Sequence, residues 1–253
     1  MKTLRDSWLI FVRTLFSTLR NPVWIAIGLL QPVLYLTLFG PLLKRVVTAQ
    51  GFPSGGAMNV FVPGLIVQMA LFGSAFVGFS LIAEMRWGFI ERLSVTPTSP
   101  VSILLGHALR DVVVLTIQAM VLIVIAIRFG LSISVSGLAM LLVLIALLAF
   151  SMASLSYATA LKLKDEDAFA PFINTVAFPM MLLAGILLPM SLAPHWLKTV
   201  SKFNPLSYAV DASRAMANGN LGASEVWIGL GVMAAACVVT AVWAARSFQN
   251  AAE

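Results

Sequence analysis

Apolar residues gather into six long runs, at 24–43, 60–83, 112–127, 137–161, 169–188 and 226–245, and charged residues fall almost wholly in the gaps between them. A helix needs roughly twenty apolar residues to cross a bilayer, so the pattern predicts an all-α integral membrane protein with six transmembrane helices. Residues 1–21 are patterned differently. Leu4, Trp8, Phe11, Val12, Leu15 and Leu19 recur on one helical face, with Lys2, Asp6, Arg13 and Arg20 opposite. That is an amphipathic helix suited to lie flat at a membrane surface, or to pack on a partner. Arg13 and Arg20 break the run too early for a signal peptide. In the second run Ala70, Ser74 and Gly78 repeat every four residues and offer a small-residue packing face.

The third helix is expected to begin near Pro100 and to carry His107, Arg110 and Asp111 in its first turns. Those groups lie either at the interface or inside the bundle, with Arg110 paired to Asp111 or to a neighbour. Asp165, Glu166 and Asp167 precede the fifth span, where carboxylates favour a helix N-terminus. Residues 189–225 form the longest connection. A basic amphipathic stretch at 193–203 is followed by Asn204 as N-cap, Pro205 at the first helical position and Asn218-Gly219 as a stop. Short helices of re-entrant type, partly dipping into the membrane before the last span, fit this stretch.

Composition agrees. The 253 residues are 60% hydrophobic and 10% charged, against roughly 45–50% and about 25% in soluble domains. Nearly the whole length is spent on spans, so a single transmembrane domain, 1–253, is expected. The net charge of +6 comes from basic residues scattered over loops and span ends, which is topology and not a nucleic-acid surface. Cys237 is the sole cysteine and offers neither disulfide nor metal site. With six spans, ten of the sixteen basic residues fall on the side of the termini and six on the other. Both termini are therefore expected in the cytoplasm of a multi-pass plasma-membrane protein.

That topology places residues 84–100 in the cytoplasm, between the second and third spans. Glu84, Arg86, Glu91 and Arg92 are too costly for hydrocarbon, Trp87 and Phe89 suit the headgroup level, and Pro97 and Pro100 end one helix and start another, with Ser99 placed to cap it. A short charged helix held between two spans is a handle for a second protein.

Two elements carry a resemblance. Gly88, Glu91-Arg92-Leu93, Thr96-Pro97 and Ser99 make one, and Asn204-Pro205-Leu206-Ser207-Tyr208 with Arg214 makes the other. In this order, with these spans between them, the chain resembles over essentially its whole length the membrane subunits of type-two ABC exporters, including the daunorubicin-resistance and polysaccharide-exporter types. His107 stands where members often carry lysine, with the helix start preserved. The resemblance implies a permease subunit of an ATP-driven exporter of bacterial or archaeal inner membrane, paired with a second permease copy, a homodimer or two related chains. A separate ATP-binding subunit would dock on 84–100 and hold ATP and Mg, because this chain has no Gly-x-x-x-x-Gly-Lys-Ser/Thr loop. Glu84, Arg86, Gly88, Glu91, Arg92, Leu93 and Pro97 are the candidate coupling residues, with Glu91 and Arg92 foremost. Asn204, Pro205, Tyr208 and Arg214 form the candidate extracytoplasmic motif.

Enzymatic chemistry has little support, since the topology puts His107 and His195 on opposite sides and likewise separates Asp111 from Asp211. An ion-coupled transporter or channel without an ATPase is the alternative, and it would need ionisable groups at mid-membrane, where the pattern shows almost none. Low mid-span charge favours a lipophilic or amphipathic cargo, such as a drug, lipid or glycan-lipid. Gln31, Tyr35, Gln68 and Asn174 are the polar residues suited to meet it, or equally to bond between helices.

Overall fold

The computed structural model describes residues 2–20, 22–46, 56–88, 99–186 and 190–252. Among them every regular element is helical: α1 Lys2–Arg20, α2 Pro22–Val46, α3 Ala57–Ala75, α4 Gly78–Arg86, α5 Pro100–Arg128, α6 Val135–Leu163, α7 Glu166–Leu183, a 3₁₀ turn Met190–Leu192, α8 His195–Ser201, α9 Pro205–Ala217 and α10 Ser224–Ala252. The 84–100 segment is thus seen at its two ends. Glu91, Arg92, Leu93 and Pro97 lie outside the described residues.

Among the described residues, five helices are long and apolar enough to cross a membrane: Ile25–Leu42 within α2, Ala57–Arg86 made of α3 and α4, Val101–Arg128 of α5, Val135–Leu163 of α6 and Ser224–Asn250 of α10. The predicted fifth run at 169–188 is shorter than expected. Its helix, α7, ends at Leu183, and the chain turns through Ala184 and Gly185, the latter at φ 68°. Glu166 and Asp167 occupy its first turn, and Asp165 caps it by accepting from the Asp167 N–H at 2.9 Å.

The predicted second span is divided at Phe76–Val77, where bonds from Phe79 to Phe76 and from Ser80 to Val77 tighten the turn. The partner that permits this comes from α6. The Ser156 hydroxyl donates to the Ala75 carbonyl at 2.7 Å and accepts from the Gly78 N–H at 2.9 Å. Gly78 is also a contact point, since a Cβ there would lie 2.5 Å from Phe169. Ser99 does sit at the N-cap of α5, with Pro100 following, but its side chain makes no capping bond. The Ser102 N–H that a cap would take is already bonded to the Ser99 carbonyl at 2.8 Å.

α3 and α6 form the middle of the bundle, and α2 and α10 are its least buried spans. One apolar cluster joins α3, α5, α6 and α9 through Leu65, Ile66, Ile123, Leu144 and Val210. A second joins α4, α6, α7 and the ends of α5 and α10 through Leu81, Leu104, Phe169 and Phe248. α1 crosses α5 where a Cβ on Gly106 would come within 2.6 Å of Ile10 and 3.1 Å of the Ser7 carbonyl. The stripe it buries is Ser7 and Thr14, whose hydroxyls bond back to Thr3 and Ile10. Leu4, Trp8, Phe16 and Leu19 are exposed. Of the apolar face read from the sequence, Leu4, Trp8 and Leu19 are thus exposed, whereas Phe11, Val12 and Leu15 are half-buried.

Candidate functional site

Antiparallel packing gathers polar side chains at two ends of the bundle. α3–α4, α5 and α6 each supply 28 to 30 residues to their spans, about ten more than a bilayer requires. The surplus accommodates groups that hydrocarbon would exclude.

At the first end, Glu84 of α4 meets His107 of α5, with the carboxylate 3.0 Å from Nε2. His107 is 1% exposed and its Nδ1 donates to the Ile103 carbonyl at 2.9 Å. One turn further along α5, Arg110 Nε donates to Asp111 at 2.8 Å, and an Arg110 terminal nitrogen donates to the Tyr157 hydroxyl of α6 at 2.9 Å. The Tyr157 hydroxyl in turn donates to the other Asp111 oxygen. Tyr157 is fully buried and stands edge-on to His107, with ring centroids 5.9 Å apart. The expected pairing of Arg110 with Asp111 is present, on the interior side. What the sequence did not reveal is its closure by Tyr157, nor the pairing of His107 with Glu84. The charges are mutually satisfied, as burial demands.

Of the predicted coupling residues that are described, Glu84 belongs to this cluster, and Arg86 and Gly88 follow it at the end of α4. Arg86 forms an ion pair with Glu166 of α7 at 3.6 Å, its side chain 58% exposed. Gly88 closes α4 at φ 67°, with the Trp87 N–H on Ala83 and the Gly88 N–H on Met85. This left-handed cap favours glycine for want of a Cβ, so Gly88 sets where the chain leaves the helix. Trp87 is exposed beside it.

At the opposite end the predicted motif is brought together on the C-terminus of α7. Asn204 caps α9 by accepting from the Leu206 N–H at 3.1 Å, and its amide donates to the Met180 carbonyl at 2.6 Å. Pro205 holds the first helical position. The Ser207 hydroxyl reaches the Leu183 carbonyl at 3.1 Å and the Ser201 carbonyl at 2.9 Å, and the Tyr208 hydroxyl donates to Lys202 at 2.9 Å. Arg214, 8% exposed, donates to Val60 at 3.0 Å, Gly185 at 2.7 Å and Ile186 at 3.2 Å. The last carbonyls of a helix have no internal partner, and a cation suits the negative end of its dipole. Burial lowers the Arg214 pKa to about 10, with the Asp211 carboxylate opposing, so the guanidinium stays charged at neutral pH. Asn59 of α3 completes this end. Its amide donates to Ser132 at 2.9 Å and Ala217 at 3.1 Å, and its oxygen accepts from the Ser132 N–H.

The four cargo candidates are not assembled into one site. Gln31 and Tyr35 touch each other on α2 at 3.4 Å, Asn174 is half-buried on α7, and Gln68 is 6% exposed on α3 with its side-chain oxygen unpartnered among the described residues. A crevice of about 180 Å³ lies between α3, α6, α7 and α10, lined by Leu71, Met152, Ile173, Met180 and Trp243 among others, and none of the four lines it. No group of three His, Cys, Asp or Glu side chains placed to hold a metal occurs among the described residues.

With this geometry in hand, comparisons with known proteins are informative. Residues 5–217 match the family described as ABC-2 type transporter. The transport permease ycf38 of Cyanophora paradoxa is 29% identical over 208 residues, 81% of this chain and 72% of its own. Its counterpart in Pyropia yezoensis is 28% identical over 208 residues, covering 81% and 71%. The daunorubicin resistance ABC transporter permease protein DrrB1 of Streptomyces coeruleorubidus is 22% identical over 250 residues, covering 98% and 86%.

Proposed function

The chain belongs to the ABC-2 type transporter family as a membrane subunit, and from that premise we propose that it is the permease half of an ATP-driven exporter. Six helices cross the bilayer, with α7 as the shortest, and both termini lie in the cytoplasm. A separate ATPase docks on the 84–100 segment, and a second copy of the permease completes the path. Closure of the ATPase pair pushes the segment, and α4 and α5 carry the push inward.

The observation that supports this reading most is the polar cluster at the root of the segment. Glu84–His107 joins the helix entering the segment to the helix leaving it, and Arg110–Asp111–Tyr157 joins that pair to α6. A load applied between Trp87 and Ser99 thereby reaches three spans. The same groups weigh against an ion-coupled carrier, because each carboxylate in the cluster already has a hydrogen-bond partner and the cluster sits toward the span ends. For cargo, the mainly apolar spans and crevice suit a lipophilic or amphipathic molecule. Daunorubicin, the compound in the name of the Streptomyces relative, is the first efflux probe to use.

Charge reversal tests the docking assignment. Glu91→Lys and Arg92→Glu should lower both recovery of the ATPase with the permease and daunorubicin efflux, at unchanged membrane insertion. Losing one desolvated member of an interfacial charge pair costs roughly 2–5 kcal/mol. Thr98→Ala should match the parent. If both reversals export and co-purify as the parent does, the ATPase docks elsewhere.

A further inference from the structure

The crevice between α3, α6, α7 and α10 has a closed floor and an open side. Met152, Ile173 and Ala177 are buried at its floor, whereas Phe172 and Val176 of α7 stand at its rim, 48% and 40% exposed. It therefore opens sideways, into the surrounding bilayer. Two hydroxyls line it, and both have given their protons away. Ser156 donates to the Ala75 carbonyl, and Thr159 donates to the Leu155 carbonyl at 2.9 Å. A buried water makes about three hydrogen bonds, and this lining has no donor left to hold one, so hydrocarbon fills it best. At about 180 Å³ the space falls below the roughly 300–1,000 Å³ of sites for drug-sized ligands. The stretch 152–159 of α6 rises about 10 Å along it. A narrow apolar slot of that length suits a single acyl chain.

One end of the slot carries cations. Leu155, Thr159 and Lys162 stand at i, i+4 and i+7 of α6 and share a face, so Lys162 ends the stripe that lines the crevice. Its ammonium lies 4.9 Å from the centre of the Trp243 ring, and Trp243 lines the crevice from α10. Arg246, three residues further along α10, falls on the same side of that helix and is exposed, as is Lys162. Among the described residues no carboxylate forms an ion pair with either. The acidic run that follows α6 is engaged elsewhere, Asp165 as the cap of α7 and Glu166 with Arg86. Two exposed cations and an indole at the end of an apolar slot complement a lipid phosphate above its chain.

We propose that this crevice binds an anionic phospholipid, with one acyl chain along Met152 and Ile173 and the phosphate held by Lys162 and Arg246 at the Glu84 end of the bundle. The proposal goes beyond the exporter reading and does not depend on it, since it needs only these helices in a bilayer.

The test uses the full chain in phosphatidylcholine nanodiscs, without ATPase, so its failure is distinct from failure of the exporter reading. A trace of phosphatidylglycerol with a photoreactive diazirine in its acyl chain is cross-linked by light, and the labelled residues are mapped by mass spectrometry. The expected result is label on Met152, Ile173 or Ala177, buried positions that lipid passing over the surface does not reach. Excess unlabelled phosphatidylglycerol should remove it, and excess phosphatidylcholine should not. Lys162→Gln should lower this label roughly fivefold, as loss of one basic residue near a phosphate does, and Lys202→Gln at the other end should leave it at the parental level. Ala177→Leu, which fills the floor, should abolish it; should that variant fail to fold, Lys162→Gln decides alone. An unlabelled floor overturns the proposal, as does label that phosphatidylcholine displaces equally well or that Lys162→Gln leaves unchanged. Displacement by daunorubicin assigns the crevice to cargo, and light-induced cross-links between two copies through these residues assign it to the permease pair; either result overturns it.

Discussion

The two ends of the bundle solve the same problem with different chemistry. At the Glu84 end, side chains bond to side chains: Glu84 to His107, Arg110 to Asp111 and Tyr157. At the Arg214 end, side chains bond to backbone: Arg214 to Val60, Gly185 and Ile186, Asn204 to Met180, Ser207 to Leu183 and Ser201. A side-chain pair can shift its rotamers and reform as helices slide, so it can transmit movement and still remain satisfied. A carbonyl at a helix end is fixed by its backbone, and a donor serving three of them must hold one position. On the proposed function, the first end can carry motion and the second resists it.

Mutations distinguish the two. Asp111→Ala leaves the Arg110 cation buried without its counter-ion, a loss of about 3–5 kcal/mol, visible as a lower midpoint of thermal unfolding in nanodiscs. Replacing both partners, Arg110→Met with Asp111→Leu, should recover part of it, because apolar groups of similar size replace a buried pair at little cost while the buried Tyr157 hydroxyl loses both of its partners. Arg214→Met should cost about 3 kcal/mol by stranding carbonyl acceptors, and no second substitution can rescue it, since the partners are backbone. Arg214→Lys should recover only part, lacking the planar fork. Gly64→Ala follows. Its Cβ would meet the Ile186 carbonyl oxygen at 2.6 Å, so the turn held by Arg214 must shift, at about 1–3 kcal/mol. The smallest effect belongs to Arg86→Ala, whose exposed pair with Glu166 should change unfolding by less than about 1 kcal/mol. A full rescue of Arg214→Met by any partner, or no rescue of Asp111→Ala by the double change, would erase the distinction.

The sequence made legible what is local. Five of the six apolar runs fell on candidate spans, Asn204-Pro205 marked the start of α9, and Asn218-Gly219 marked its end, with Gly219 at φ 78°. What it hid depends on partners far along the chain. The break at Phe76–Val77 needs Ser156, seventy-eight positions from Gly78. Tyr157 joins Asp111 across forty-six positions. The early stop of α7 is held by Arg214, twenty-nine positions on. In the same way α1 meets α5 through Ile10 at Gly106, a contact not written in the periodicity of α1. Periodicity reports which face is apolar; it does not report what that face meets.

The claim that one end transmits and the other holds is tested most directly by cargo moved per ATP hydrolysed. Tyr157→Phe removes the hydroxyl that ties α5 to α6 while keeping the ring, and Ser207→Ala removes a backbone tie at the other end. In the permease reconstituted with its ATPase, Tyr157→Phe should keep hydrolysis and ATPase association but lower daunorubicin efflux per ATP, and Ser207→Ala should lower the unfolding midpoint and leave that ratio unchanged. A parental ratio in Tyr157→Phe, together with a lowered one in Ser207→Ala, would contradict the account.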